Sequence, residues 1–218
     1  MKALILSACC LLGLAACNTS DKSDNLLPIY GNREAVTKTV NGKTVTDTVY
    51  HTIPDFETVN QYGKKITRKS LDGSIYVADF FFTSCPSICP IMHRNMLKVY
   101  DEFKKSGNVK IVSYSIDPRH DSVAVLKNYA DKMGITGNNW WFLQGDKQAI
   151  YKLAESYLVA VMEDNKAPGG YVHQGYFVLI DKQKRIRGSY DGTNPEQVAN
   201  LIKDIKLLQT EPQSMIAQ

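Results

Sequence analysis

Residues 75–82, Ile-Tyr-Val-Ala-Asp-Phe-Phe-Phe, form an apolar run with the look of a buried β-strand, and the chain leaves it through Thr83-Ser84-Cys85-Pro86-Ser87-Ile88-Cys89-Pro90. Beyond the second cysteine, Ile91, Met92, Met96, Val99, Tyr100 and Phe103 recur at helical spacing until Gly107. A strand without a polar side needs cover on both faces, so it belongs in the middle of a sheet. The following segments alternate in the same way. Val109 to Ile116 is a second buried strand, Asp121 and Ser122 can cap a helix running to Met133, and Gly134 ends it. Trp140 to Leu143 is a strand and Lys147 to Tyr157 a helix. Gly175 to Ile180 and Arg185 to Tyr190 make a hairpin, and Pro195 opens a last helix to about Leu208.

Two shorter hairpins precede this block. Val36 to Val49 alternates around Asn41-Gly42, a strong turn signal, and Phe56 to Val59 faces Lys65 to Thr67 across Tyr62-Gly63. The order predicts an α/β domain with a central mixed β-sheet flanked by helices and an N-terminal β-hairpin extension. The cysteines fall at the carboxyl end of the first central strand, where thioredoxin-like folds carry their redox cysteines. The domain is expected over residues 35–208, with a flexible tail at 209–218.

The N-terminus looks like a processing signal. Met1-Lys2 is followed by an apolar run, Ala3 to Leu14, too short to span a bilayer as a stable helix. It ends in Leu14-Ala15-Ala16-Cys17, which resembles the lipobox of bacterial lipoproteins. That resemblance implies a signal peptide over 1–16, lipidation of Cys17, and a lipidated N-terminus and linker over 17–34. The protein is then expected to be held to a membrane by its lipid, facing the periplasm or the cell exterior. Its net charge of +4 is spread along the chain, with no block that suggests a nucleic-acid partner.

Of five cysteines, Cys9 and Cys10 would leave with the signal and Cys17 would be consumed, so Cys85 and Cys89 remain as thiols. A pair this close in sequence does not staple a large loop. A helix N-terminus stabilises a thiolate, which predicts a depressed pKa for Cys85. The three intervening residues are one more than thioredoxin-type enzymes use, and the spacing is compatible with two sulfurs converging on a third object. Soft thiolates favour Cu(I), and thiolate with imidazole suits copper generally. His173, ahead of strand 175–180 and behind the loop Ala167-Pro168-Gly169-Gly170, is the best-placed imidazole. His93 is its rival as a ligand, although its helical position reads more simply as solvated. His51 and His120 read as surface residues, and Met92 and Met96 as core.

These segments together resemble the Sco/SenC family of copper-binding, thioredoxin-fold proteins. The likeness runs from about Ile53 to Leu208 and is carried by IPDFETVNQYGKKIT, VADFFFTSCPSICPIM, VSYSIDPRHDSVAVLKNYA, WWFLQGD and VHQGYFVLID. The resemblance implies one copper, Cu(I) or Cu(II), per chain, held by Cys85, Cys89 and His173. It also implies a role in maturing the binuclear copper centre of cytochrome c oxidase, by copper delivery, by thiol reduction of the target, or by both. The implied partners are the copper-centre subunit of the oxidase, a copper donor and a periplasmic thiol reductant. Many members carry an aspartate directly before the histidine, where this chain has Val172; Asp164 and Asp117 are candidates to replace it. The same thiols also permit a thiol-disulfide oxidoreductase or thiol peroxidase without metal, with Cys85 as nucleophile and Cys89 as resolving thiol, or a copper or redox sensor.

Overall fold

The computed structural model describes residues 26–211. The strands are β1 (Arg33–Val40), β2 (Lys43–Tyr50), β3 (Glu57–Asn60), β4 (Lys65–Thr67), β5 (Ile75–Phe81), β6 (Val109–Ser115), β7 (Trp140–Gln144), β8 (Val161–Glu163), β9 (Tyr171–His173), β10 (Tyr176–Ile180) and β11 (Ile186–Asp191). The helices are α1 (Cys89–Phe103), α2 (Val123–Lys132), α3 (Lys147–Ser156) and α4 (Pro195–Thr210).

Seven strands form the main sheet in the order β11-β10-β5-β6-β7-β3-β4. β5, β6 and β7 are parallel, and the strands outside them run antiparallel. This is the central mixed sheet expected from the alternation of strands and helices, in a thioredoxin-like α/β arrangement. All seven residues of β5 are buried, which explains the missing polar alternation in its sequence. On one face Phe81 meets His93 of α1 and Tyr129 of α2, and α4 lies against α1. On the opposite face Tyr76, Phe80 and Tyr114 pack around Tyr157, at the end of α3. Tyr157 reaches the hydroxyls of Tyr76 and Tyr114 at 3.0 and 3.1 Å, so the polar tips of this aromatic cluster satisfy one another.

Among the described residues the β1–β2 hairpin pairs only with itself, turning at Asn41-Gly42 where both residues have positive φ. Its arms are mostly exposed, and its base is tied down: His51 Nε2–H donates to the Ser156 carbonyl at 2.7 Å. His51 is therefore a half-buried anchor rather than the surface residue expected, while His120 is exposed as expected.

Both expected chain-end boundaries shift. Arg187 donates to the carbonyls of Leu27 and Pro28, so the segment read as linker up to residue 34 is docked from its first described residues. The same guanidinium pairs with Asp181 and, in bidentate fashion, with Glu211. Helix α4 accordingly continues to Thr210, into the stretch read as a flexible tail, because Glu211 holds its end. Cys17 and the rest of the signal segment lie outside the described residues.

Candidate metal centre

The carboxyl end of β5 delivers the chain into a turn fixed by a buried acid. Asp121 accepts from the backbone N–H of Thr83 at 3.1 Å, from the Thr83 hydroxyl, and from Ser115 Oγ at 2.6 Å. Of the two residues expected to cap α2, Ser122 does so, accepting from the Val125 N–H, and Asp121 ties the ends of β5 and β6 together instead. The Cys85 N–H donates back to the Phe82 carbonyl at 3.2 Å, closing the turn. Cys89, rather than a later residue, is the first residue of α1, and Pro90 follows where its missing N–H costs no helical bond. Cys85 thus sits in the turn, one helical turn upstream of Cys89, and both thiols are buried and free.

His173 arrives on a hairpin, β8–β9, whose tip contains the expected loop Ala167-Pro168-Gly169-Gly170. β8 and β9 pair antiparallel with Val161 opposite His173, and Tyr171 and His173 point inward while Val172 points out. The tip rests on the cysteine turn. Gly169 has φ +78°, and a Cβ there would come within 2.7 Å of the Phe82 ring and 3.2 Å of Pro86, so only glycine allows this approach. Phe82 also packs against Tyr171 and lies edge-on to His173, at centroid distances of 5.0 and 5.9 Å. Arg119 donates to Glu163 and to the Tyr171 hydroxyl, and Lys147 pairs with Glu163, fixing the hairpin's flank.

The result is a convergence of three soft or borderline donors. One ligand atom each from Cys85, Cys89 and His173 lies within 4.8 Å of the others, and His173 Nε2 is 3.3 Å from Cys89 Sγ. The two thiols differ strongly. Cys85 is held down to about 3, first by a hydrogen bond from the Cys89 thiol, then by His173 and the backbone N–H groups of Cys89 and Ser87, against the opposing effect of burial. Cys89 is pushed up by donating that bond and by its own burial. The depressed Cys85 pKa matches the expectation in direction, but its main cause is the neighbouring thiol, with the helix-end N–H of Cys89 a smaller contributor.

The donor set fits a soft cation. Two sulfurs and one imidazole are the ligand types that Cu(I) and other thiophilic ions select. His173 Nδ1 is buried and has no hydrogen-bond partner among the described residues. Ligating histidines ordinarily donate this second N–H to an oxygen that fixes the ring. Here Val172 is 42% exposed on the outer side of β9, and Asp164 and Asp117 make no hydrogen bond to His173. Asp164 instead accepts from the Lys166 N–H, within the turn of the β8–β9 hairpin. Phe82 and the hairpin, rather than a carboxylate, orient the imidazole.

His93, the rival ligand, belongs elsewhere. It is 2% exposed, with Nε2 3.0 Å from Asp79 and Nδ1 2.8 Å from the Tyr129 hydroxyl, so both ring nitrogens are engaged. Asp79 also accepts from Ser113 at 2.5 Å, and Ser113 in turn accepts from the Trp140 indole N–H. His93 is neither solvated nor a donor to the cysteine centre; it satisfies a buried carboxylate. Met92 and Met96 are fully buried core residues.

Residues 44–208 match the family model described as SCO1/SenC. The chain is 30% identical to the SCO1 protein homolog of Bacillus subtilis over 171 residues, spanning 78% of this chain and 89% of that one. Among solved structures it is similar to BsSco, described as having a disulfide switch and as a member of the Sco family of cytochrome c oxidase assembly proteins. That likeness has 30% identity and a TM-score of 0.65, covering 74% of this chain and 95% of the other. It is also similar to Bradyrhizobium japonicum ScoI with copper bound, at 26% identity and a TM-score of 0.56, covering 70% and 98% of the two chains.

Proposed function

The chain belongs to the SCO1/SenC family, and from that premise we propose that it binds one copper ion through Cys85, Cys89 and His173 in the service of cytochrome c oxidase assembly. The observation that carries this reading is the meeting, within 4.8 Å, of two thiols from one turn and an imidazole from 84 residues away. Copper here is cargo. The chain's own contribution is to hold the donors together, keep one sulfur ionised and shield the site from water. Copper titration of the reduced protein tests the proposal: one equivalent should bind, and Cys85→Ala or Cys89→Ala should abolish high-affinity binding. Unaltered affinity in either variant would reject it.

The inequality of the two thiols favours a second use of the same site. A thiolate at Cys85 can attack a partner disulfide, forming a mixed disulfide and releasing the partner's other sulfur as a thiolate. Cys89, after giving up its proton, then attacks Cys85, so the partner leaves as a dithiol and the chain keeps a Cys85–Cys89 disulfide. The partner gains two electrons and this chain loses two, which an upstream dithiol protein must restore. Thiol reduction of the copper recipient, or thiol-disulfide oxidoreductase activity in its own right, would follow from this chemistry.

The lipobox-like segment supports attachment through Cys17, with the domain on the periplasmic or exterior side of a membrane. Nine residues separate Cys17 from Leu27, a reach of roughly 30 Å at full extension, so an anchored domain would work close to the membrane surface. Radiolabelled palmitate incorporation that survives Cys17→Ser would reject the attachment.

A further inference from the structure

A cleft of about 480 Å³ opens on the α1–α2 side of the cysteine turn, and Cys85 lies in its wall while Cys89 and His173 do not. That volume lies in the ordinary range for a ligand site, about 300–1,000 Å³. Pro90 and Leu97 of α1, with Tyr129 and Met133 from α2 and its end, make an apolar lining. Arg94 and Lys132 stand on the rim, one from each helix, and both are exposed. Neighbouring cations are already satisfied: Lys127 pairs with Asp131, and Lys98 donates to Asn95. Among the described residues Arg94 and Lys132 make no ion pair, and no acidic side chain lines the cleft.

We propose that this groove docks an extended acidic segment of a partner protein, with apolar side chains on the lining and carboxylates on Arg94 and Lys132, so that the partner's own cysteine arrives at Cys85. An open, mostly apolar trough with cations at its rim suits a polypeptide carrying both apolar and acidic side chains, and its wall holds one member of the thiol pair. Approach is therefore ordered: an incoming sulfur meets Cys85 before Cys89 or the imidazole. The inference rests on Cys85 as a working thiol, and the test reads that thiol without copper, so a failure of the copper assignment is scored separately.

In the Cys89→Ala background, short synthetic peptides with one central cysteine, activated as a mixed disulfide with thionitrobenzoate, serve as probes. Their flanks carry leucines with aspartates, leucines with lysines, or aspartates alone. The Cys85 thiolate attacks the peptide sulfur, the bond to thionitrobenzoate breaks, and the coloured thiolate leaves as the Cys85–peptide disulfide forms. At low ionic strength the leucine–aspartate peptide should react about tenfold faster than the lysine peptide, a typical steering effect, and faster than aspartates alone. Taking ratios within each variant cancels changes in the intrinsic reactivity of Cys85. The acidic preference should fall below about twofold in Arg94→Glu/Lys132→Glu, and more mildly in the Gln pair. It should persist in Lys43→Glu/Lys203→Glu, which removes equal charge elsewhere. Equal rates for all peptides, a preference untouched at Arg94 and Lys132, or an equal loss in both charge-reversed proteins would overturn the proposal. So would phosphatidylglycerol-vesicle binding that depends on Arg94 and Lys132 without any peptide preference, which would assign the cations to lipid.

Discussion

A thiol already ionised near pH 5 behaves differently from one that must first lose its proton, and Cys85 is placed to be the former. Its pKa lies far below the ordinary thiol value of about 8.5 because Cys89, His173 and two backbone N–H groups surround its sulfur. Alkylation of Cys85 by iodoacetamide should therefore be nearly flat from pH 5 to 8, while Cys89 stays slow, as mass spectrometry of the modified peptides would read. A rate at Cys85 that climbs about tenfold per unit would contradict this picture. The cysteines were legible because their spacing and apolar lead-in are local signals, and His173 because the strand after it was. Asp79 and Asp121 were not. A single acid in an apolar run gives no sign of its partners, which for Asp79 lie 14 and 34 residues away on α1 and β6. His93 was misread for the same reason: helical spacing set its position, but the carboxylate that makes burial tolerable came from another element. His93→Ala should destabilise the fold by roughly 1–3 kcal/mol, the cost of leaving a buried polar group without its hydrogen-bond partner, in denaturant unfolding, with copper stoichiometry unchanged in the folded protein. Copper loss without a stability change would return it to the ligand set.

At the scale of elements, the β8–β9 hairpin is what turns a dithiol turn into a three-donor centre. Three-residue strands around Pro168-Gly169-Gly170 carry too little periodicity to be seen in sequence, and their pairing is stabilised by Phe82, Arg119 and Lys147 rather than by strand propensity. The buried strands β5, β6 and β7 were visible because apolar runs of that length have few other uses. Gly169→Ala meets both an unfavourable φ and the Phe82 ring, so it should push the hairpin off the turn. Copper affinity should fall by about 10–100-fold, as for a disturbed ligand-supporting group, while the thermal midpoint moves only a few degrees. Wild-type copper affinity in this variant would show that the hairpin tip does not position His173.

Across the whole molecule, one guanidinium joins the two ends of the described chain. Arg187 is almost fully buried and holds the Leu27 and Pro28 carbonyls, Asp181 and Glu211 at once, closing the N-terminal segment and α4 onto β11. Its replacement by Gln should cost roughly 3–5 kcal/mol, since Glu211 loses its buried partner and Asp181 keeps only Arg185, and urea unfolding with a midpoint equal to wild type would contradict that. Sequence patterns located the domain but not this clasp, because charge pairing between chain ends leaves no periodic trace. The clasp secures the sheet on which the cysteine turn, the hairpin and the groove are mounted, and the shared copper site is the claim on which the rest depends. X-ray absorption at the copper edge of the reduced, copper-loaded protein tests it most directly. Two sulfur neighbours and one imidazole are predicted, with the imidazole signal absent in His173→Ala; a wild-type spectrum of sulfur alone, or one unchanged by that substitution, would contradict the account.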